Sequence, residues 1–211
     1  MSLELARRFP NAEIVALSGS HAQRRFIEDQ AEAAGLGNLK VLTSDVADWP
    51  GAGDFDRILS VEMFEHVRNW GALMSRAGDW LRPGGLLFVH VFCHARSTYF
   101  FEDDVTARHF FTGGMMPAYD LLPRFAGSLV ERGRWAIPGS HYATTAEAWL
   151  DNLDARAPEA LKALAQGSDP RPPAEQLAGW RLFFMVTAES FGFHEGREWM
   201  VGHYLFERPR P

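Results

Sequence analysis

Short apolar runs alternate with amphipathic stretches along the first 91 residues of the chain. The apolar runs are rich in β-branched residues and predict buried strands at residues 13–18, 39–44, 56–61 and 86–91. Apolar residues at helical spacing precede or separate these runs and predict helices at residues 2–9, 21–34 and 69–81. This alternation is typical of βαβ units. It predicts an α/β fold with a mostly parallel sheet covered by helices.

The regular alternation ends near residue 92. Residues 92–127 are rich in Phe, His and acidic residues, and we interpret them as an insertion over the strand ends that could act as a lid. Helical patterns at 144–163, capped by Thr145, and at 177–191 predict a helical insertion over 144–191. The alternating residues 198–207 predict a last strand. A length of 211 residues favours one domain spanning the whole chain.

Composition excludes several classes of protein. The chain has 21 Lys and Arg against 27 Asp and Glu, a formal charge of −6, which argues against a basic nucleic-acid-binding surface. Cys93 is the one cysteine, so no internal disulfide can form. No apolar run approaches the ~20 residues of a membrane span. We therefore expect a cytoplasmic protein with no nucleic-acid partner and no integral membrane segment; its oligomeric state stays open.

Ligands of parallel sheets bind beyond the carboxyl ends of the strands, so the residues there are the first candidates for chemistry. Glu62, Glu65 and His66 follow the third predicted strand. If a helix begins directly after that strand, the spacing places all three on one face of it. Two carboxylates and an imidazole can accept protons and hold a cationic amine. The alternative is a solvated helix start, where acidic residues are favoured by the helix dipole.

Two further patterns have structural alternatives. His90, Cys93 and His94, with His109 as a fourth ligand, are metal-binding residue types, but a polar His90 facing the cleft and a small buried Cys93 are favoured. Arg82-Pro83-Gly84-Gly85 predicts a turn whose glycines serve geometry. Motifs for dinucleotides, nucleoside triphosphates, serine hydrolases and zinc proteases are absent from the sequence.

Four segments together resemble one enzyme family. They are Val61-Glu62-Met63-Phe64-Glu65-His66, Leu81–His90, the aromatic-glycine segment Phe110–Pro117, and His141-Tyr142-Ala143-Thr144-Thr145. In this order they resemble the cyclopropane-fatty-acyl-phospholipid synthase family of S-adenosylmethionine-dependent methyltransferases, in particular its coclaurine N-methyltransferase-like branch. The resemblance extends over nearly the whole chain. It implies a Rossmann-like methyltransferase sheet with an antiparallel strand at the C-terminus.

The resemblance also implies roles for individual residues. The positions that match cofactor-binding residues are Ser18, Ser20, Gln23, Asp45, Val46 and Ser60. The positions that match the catalytic residues of the N-methyltransferase branch are Glu62, Glu65 and His66, whereas Glu65, His90 and Tyr142 match the residues that hold bicarbonate in cyclopropane synthases.

The function implied is methyl transfer from S-adenosylmethionine to a small acceptor, an amine above all. The alternatives are cyclopropanation of a lipid alkene, with bicarbonate as the base, and a non-catalytic remnant of the family. The family's first strand and glycine-rich loop precede the positions that match Ser2 and Leu3. We therefore expect this chain to lack both, to be incomplete at its N-terminus and to bind the cofactor weakly.

Overall fold

A computed structural model describes residues 1–51, 53–101 and 114–211. The chain divides into two compact units, residues 1–52 and residues 53–211, and each is described separately. Part of the predicted lid, including His109 and the first half of the aromatic-glycine segment, lies outside the described residues. The interpretation of residues 92–127 as a lid therefore stays a prediction.

The first unit is built from two helix–strand pairs. Its elements are α1 (Ser2–Arg8), β1 (Ile14–Ser18), α2 (His21–Ala33) and β2 (Leu39–Thr43). The strands pair in parallel, from Ile14 beside Leu39 to Ser18 beside Thr43, so their carboxyl ends lie at the same edge. The Asn38 amide donates hydrogen bonds to three backbone carbonyls after and within α1, at 3.0–3.2 Å, and so ties the first helix to the start of β2.

The second unit contains a four-stranded sheet in the order β3-β4-β8-β7. Its strands are β3 (Phe55–Val61), β4 (Leu81–His94), β7 (Val130–Pro138) and β8 (Trp199–Glu207). β3 and β4 are parallel, while β8 runs antiparallel to both β4 and β7. The predicted α/β class, with parallel strand pairs and an antiparallel C-terminal strand, is confirmed.

Helices and short elements complete the second unit. The helices are α3 (Trp70–Trp80), α4 (Ser140–Ala155), α5 (Ala157–Leu164) and α6 (Pro173–Gly192). Single 3-10 turns lie at Phe64–His66, Leu122–Phe125 and Phe193–Gly196, and a short antiparallel pair joins β5 (Tyr99–Phe100) to β6 (Met115–Met116). In the described part of the chain, no helix is both long and apolar enough to span a membrane.

The sheet has a buried core on one of its faces. Leu87, Val89 and Val91 alternate along β4 and are at most 1% exposed, as are Tyr204 and Phe206 of β8. Alternate residues of a strand point to opposite faces, so the residues between them occupy the other, less buried face. That second face carries the polar side chains described below.

Three sequence predictions about the second unit need correction. β7 was not predicted, because Val130–Pro138 contains Glu, Gly and two Arg and lacks a continuous apolar run. Arg82–Gly85 lies within β4 instead of forming a turn before it. The Gly84 N–H donates to the Arg208 carbonyl at 2.7 Å and the Arg208 N–H to the Gly85 carbonyl at 3.0 Å, which continues the ladder past the glycines.

The third correction concerns the start of the first C-terminal helix. The sequence pattern predicts a helix from residue 144, capped by Thr145, but α4 already begins at Ser140. Thr145 instead donates its hydroxyl proton to the His141 carbonyl inside the helix. Gly139 permits this start: its N–H donates to the Gly196 carbonyl at 2.8 Å, and its carbonyl accepts the Ala143 N–H.

We expect Gly139→Ala to destabilise the second unit. A Cβ at this position would lie well inside van der Waals contact of two backbone carbonyl oxygens, those of Trp199 and Phe191, and backbone atoms cannot rotate away. The expected loss is about 3 kcal/mol, measured by urea unfolding. Gly179→Ala is the matched control, because its nearest neighbouring atom is 4.0 Å away inside α6; this variant should be as stable as the original chain or more so. Equal stability of the two variants would contradict the packing described for Gly139.

Candidate active site

Glu62 occupies the first position after β3 and has an unusual backbone. Its φ is +50°, in the left-handed region that residues other than glycine rarely adopt. Its N–H donates to the His90 carbonyl at 3.0 Å, so the backbone stays attached to β4 while its direction changes. The predicted helix face shared by Glu62, Glu65 and His66 is therefore wrong, because only Phe64–His66 forms a 3-10 turn and Glu62 lies outside it.

The Glu62 carboxylate nevertheless lies at the centre of a polar cluster. Its Oε1 lies 3.0 Å from His90 Nε2, and its Oε2 accepts the Tyr142 hydroxyl proton at 3.3 Å. On the far side of the imidazole, His90 Nδ1 lies 2.9 Å from His203 Nε2. The side chains of β4, β8, α4 and the loop after β3 thus form one continuous chain of polar contacts.

Glu65 is the most buried acidic group of the cluster. Its side chain is 1% exposed, and burial, reinforced by the nearby Glu62 charge, raises its pKa from the ordinary 4.5 to about 8. The His66 imidazole is 46% exposed and lies 3.7 Å from Glu65 Oε1. The Glu65 carboxyl group is therefore enclosed, while its neighbour His66 is half-exposed.

Aromatic packing determines where Glu65 points. Phe64 precedes it and is fully buried, and its ring meets the edge of Trp70 at 5.7 Å between centroids. The Trp70 indole N–H donates to the Phe64 carbonyl at 2.8 Å. This hydrogen bond anchors the 3-10 turn to the start of α3. The packing of Phe64 against Trp70 thus fixes the turn that carries the Glu65 carboxyl group.

Tyr142 enters the cluster from the first turn of α4. Its ring packs against Phe191 at 4.6 Å between centroids. Burial and the carboxylates of Glu62 and Glu65 raise the pKa of its hydroxyl above the ordinary 10, so the group remains a proton donor at neutral pH. Sequence analysis could not place this residue near the carboxylates; the tertiary structure does.

Two carboxylate oxygens in the cluster have no aligned hydrogen-bond donor within the residues that the structure describes. They are Glu62 Oε1, which meets His90 at ion-pair distance but without good N–H alignment, and Glu65 Oε2. Buried polar atoms in proteins are nearly always satisfied, and the exceptions are often sites where a ligand supplies the partner. A ligand with N–H groups or positive charge would match both oxygens.

The cofactor positions predicted in the first unit share one edge of its sheet. The Ser18 hydroxyl donates to Gln23 Oε1 at 2.7 Å and accepts the Ser20 N–H, while the Ser20 hydroxyl accepts the Gln23 N–H as the cap of α2. Asp45 follows β2, where its Oδ1 accepts the Ala47 N–H at 2.8 Å, and Val46 lies beside it in the same turn. The assignment of Ser18, Ser20 and Gln23 to a ribose, and of Asp45 and Val46 to an adenine, stays a prediction.

Ser60 belongs to the second unit and lies near the end of β3. It is 8% exposed, and its hydroxyl oxygen is buried without a hydrogen-bond partner in the described part of the chain. Like the two carboxylate oxygens, it is available to a ligand. Its role beside the methionine portion of a cofactor stays a prediction.

The metal interpretation of the histidines gains no support. Within residues 1–51, 53–101 and 114–211, no group of three or more His, Cys, Asp or Glu side chains could hold a metal ion. His94 is instead engaged by two backbone N–H groups and by Glu198 at 3.4 Å. Cys93 is fully buried, as predicted, and burial raises the pKa of its thiol to about 12.

Sequence analysis missed His203. The segment was predicted as a strand, and the register of β8 places His203 directly opposite His90. Side chains that face each other across an antiparallel pair are about 5 Å apart at Cβ, within reach of a direct contact. The one available signal was a lone polar residue among apolar neighbours in residues 199–206, but the pairing partner could not be read from it.

The chain is similar to known proteins in sequence and in fold. The family model described as mycolic acid cyclopropane synthetase matches residues 1–191. An (S)-coclaurine N-methyltransferase from Thalictrum flavum subsp. glaucum is 31% identical over 99% of this chain and 60% of its own length. Another from Papaver somniferum is 32% identical over 96% of the chain and 60% of its own length.

A solved structure has a similar fold. Coclaurine N-methyltransferase bound to N-methylheliamine and SAH superposes with a TM-score of 0.90, at 29% identity, over 97% of this chain and 61% of the other. The chain therefore spans about 60% of the length of the relatives that it matches.

The raised pKa of Glu65 predicts how stability depends on pH. Between about pH 4.5 and about pH 8 the unfolded chain releases the Glu65 proton while the folded chain keeps it. Each pH unit in this window therefore costs the folded state up to about 1.4 kcal/mol. Relative to Glu65→Gln, the original chain should lose stability as pH rises through this window, with no further difference above it.

Urea unfolding at several pH values across this window measures the effect. The exposed Glu147→Gln is the control, and its stability should follow that of the original chain at every pH. Parallel curves for the original chain and Glu65→Gln would show that burial does not perturb the Glu65 carboxyl group.

Proposed function

This chain belongs to the mycolic acid cyclopropane synthetase family, and on that premise we propose that it methylates a small amine with S-adenosylmethionine as the methyl donor. The relatives that share 31–32% of its residues carry the name of an amine N-methyltransferase. The proposal concerns a chain that spans about 60% of these relatives. The proposal is supported by the chemistry of the buried polar cluster in this chain and by the similarity to these relatives.

One observation favours an amine over other acceptors. Glu62 Oε1 and Glu65 Oε2 are buried carboxyl oxygens without an aligned donor among the described residues. A buried carboxylate is stabilised by a positive charge or by N–H groups placed against it, and an ammonium ion supplies both. A neutral alkene would leave both oxygens unsatisfied. The cluster therefore suits a cationic amine with one or more N–H groups.

The two carboxyl groups have different tasks in this proposal. Glu62, held by His90 and Tyr142, orients the ammonium group by charge. Glu65 keeps its own proton up to about pH 8 in the ligand-free site. A cationic ammonium group bound beside it would favour loss of that proton to solvent, and the resulting carboxylate then accepts the amine proton. His66, half-exposed and 3.7 Å from Glu65, passes that proton to solvent. Loss of its proton frees the nitrogen lone pair for alkylation.

The cofactor supplies an electrophilic methyl group on a sulfonium centre. In the first unit, the residues proposed to hold its nucleoside are Ser18, Ser20 and Gln23 for the ribose hydroxyls and Asp45 with Val46 near the adenine. In the second unit, the orphaned hydroxyl of Ser60 is proposed to meet the methionine portion. The protein's own contribution is to orient the amine and to remove its proton.

The cyclopropane synthase alternative requires bicarbonate between Glu65, His90 and Tyr142. In this structure the Glu62 carboxylate already contacts both His90 and Tyr142. A bicarbonate anion at that point would face a like charge within a few ångströms, which is unfavourable in a buried site. The residues present do not fit the anion, so no step through bicarbonate is proposed.

The domain organisation remains part of the proposal. We propose that residues 1–211 act as one methyltransferase domain, with residues 92–127 as a lid and the helical segment, observed as α4 to α6, as the second insertion. The third possibility, a non-catalytic member of the family, differs in a measurable way. A shift in the unfolding temperature on adding S-adenosylhomocysteine separates a cofactor-binding protein from a remnant.

We expect Glu65→Gln to lower methyl transfer to amines by a factor of ~10² to 10⁴, the usual effect of removing a proton-transfer group. Glutamine keeps the size of the side chain but cannot accept the amine proton. The affinity for S-adenosylhomocysteine, measured by calorimetric titration, should not change. Transfer is measured with radiolabelled S-adenosylmethionine and a panel of secondary amines. The control is Glu147→Gln, at an exposed position of α4, which should retain full activity.

A second arm tests the acceptor class. Vesicles of phospholipids with monounsaturated acyl chains, with and without added bicarbonate, replace the amines in the same assay. Label transferred to lipid and not to amines would replace the amine proposal by cyclopropanation. Absence of both transfer and S-adenosylhomocysteine binding would favour the non-catalytic alternative.

A further inference from the structure

The contact between two imidazoles distinguishes this cluster from a simple pair of carboxylates. His90 Nδ1 and His203 Nε2 lie 2.9 Å apart on neighbouring strands. A neutral imidazole carries a proton on one nitrogen only, so one ring donates and the other accepts. The direction of this hydrogen bond determines which nitrogen of His90 faces Glu62 with a proton.

The surroundings indicate the direction. His90 Nε2 lies 3.0 Å from the Glu62 carboxylate, where a proton on nitrogen is favoured and a bare lone pair is repelled. With its proton on Nε2, His90 has a bare Nδ1, and that atom needs a donor. His203 Nε2 is the atom in position to supply it.

The strand pairing holds His203 in this position. Its ring meets the edge of Phe88 at 5.2 Å between centroids, and its neighbour across the other strand pair is Trp135 of β7, which carries no titratable group. Burial and the adjacent His90 lower the pKa of His203, which keeps the ring neutral. A neutral ring with its proton on Nε2 is a single, directed donor.

We propose that His203 is a positioning residue: its donor to Nδ1 keeps the His90 proton on Nε2, the nitrogen that lies 3.0 Å from the Glu62 carboxylate. Without the His203 donor, only the Glu62 carboxylate opposes a shift of the His90 proton to Nδ1, so the fraction of His90 with a bare Nε2 beside the carboxylate rises. Glu62 would rotate away or take up a proton, and its negative charge would no longer be available to an ammonium group. The effect on catalysis rests on the proposed function, whereas the tautomer of His90 does not.

Two substitutions separate the hydrogen bond from the space that the ring fills. In His203→Gln the amide NH₂ can take the place of Nε2–H and donate to His90. In His203→Met a side chain of similar length has no donor. Both keep an unbranched side chain in the same strand position, so loss of packing affects them similarly.

Long-range ¹H–¹⁵N NMR of the uniformly labelled chain reads the tautomer of His90, with its signals identified by their absence in His90→Gln. We expect the proton on Nε2 in the original chain and in His203→Gln, and a shift toward Nδ1 in His203→Met. A proton on Nδ1 in the original chain would overturn the proposal without any variant. An unchanged tautomer in a folded His203→Met would overturn it as well.

Kinetics supply the second readout. Loss of the hydrogen-bond partner that sets the tautomer of a metal-bound histidine typically costs about 10- to 100-fold in activity, and we expect an effect in the same range for His90. We expect this loss in the kcat/KM for the amine with His203→Met, recovery with His203→Gln, and unchanged affinity for S-adenosylhomocysteine in both. Equal losses in the two variants would assign His203 a packing role only. If the original chain methylates no amine, the proposed function fails, while the NMR result still decides the role of His203.

Discussion

Glu65 is almost completely removed from water, close to a second carboxylate, and charge in such a place needs compensation. Neighbouring features of the second unit meet this constraint only for the second carboxylate, Glu62. The left-handed backbone of Glu62 keeps that residue hydrogen-bonded to β4, and His90 and Tyr142 approach its carboxylate from two sides. What remains uncompensated is one oxygen on each carboxyl group. In the proposed function, a cationic amine completes the site.

The mixed sheet brings the components together from distant parts of the chain. Parallel pairing of β3 with β4 places the residue after β3 beside His90, and antiparallel pairing of β4 with β8 places His203 on the other side of the same ring. α4 contributes Tyr142 because Gly139 allows the helix to begin close to two backbone carbonyls. The position of each of these side chains has a local structural reason, but the strand order is what brings them together. A family of related sheets can therefore vary its chemistry by changing a few residues along this face.

The sequence predicted much of the fold because its signals are local. Apolar runs in residues 13–18, 39–44 and 56–61 predict strands whatever surrounds them. The resemblance of the motif at Glu62–His66 to known methyltransferases identified the carboxyl groups to inspect. β7 escaped prediction because its strand alternates charged residues with glycine and depends on β8 for its pairing. The start of α4 was not predicted because Gly139, which permits it, acts through contacts with Phe191 and Trp199, 52 and 60 positions away.

The sequence by itself determined the α/β class, the family and the identity of Glu62, Glu65, His66, His90 and Tyr142 as candidates, because residue type and local order suffice for these. It predicted the wrong geometry for Glu62, Glu65 and His66, because helical spacing requires a helical backbone and Glu62 does not adopt one. Only the tertiary structure decided that Tyr142 and His90 share Glu62, that Glu65 is enclosed, and that His203 lies opposite His90. The physical reason is that burial and hydrogen-bond partners arise from long-range strand pairing, which no local pattern encodes.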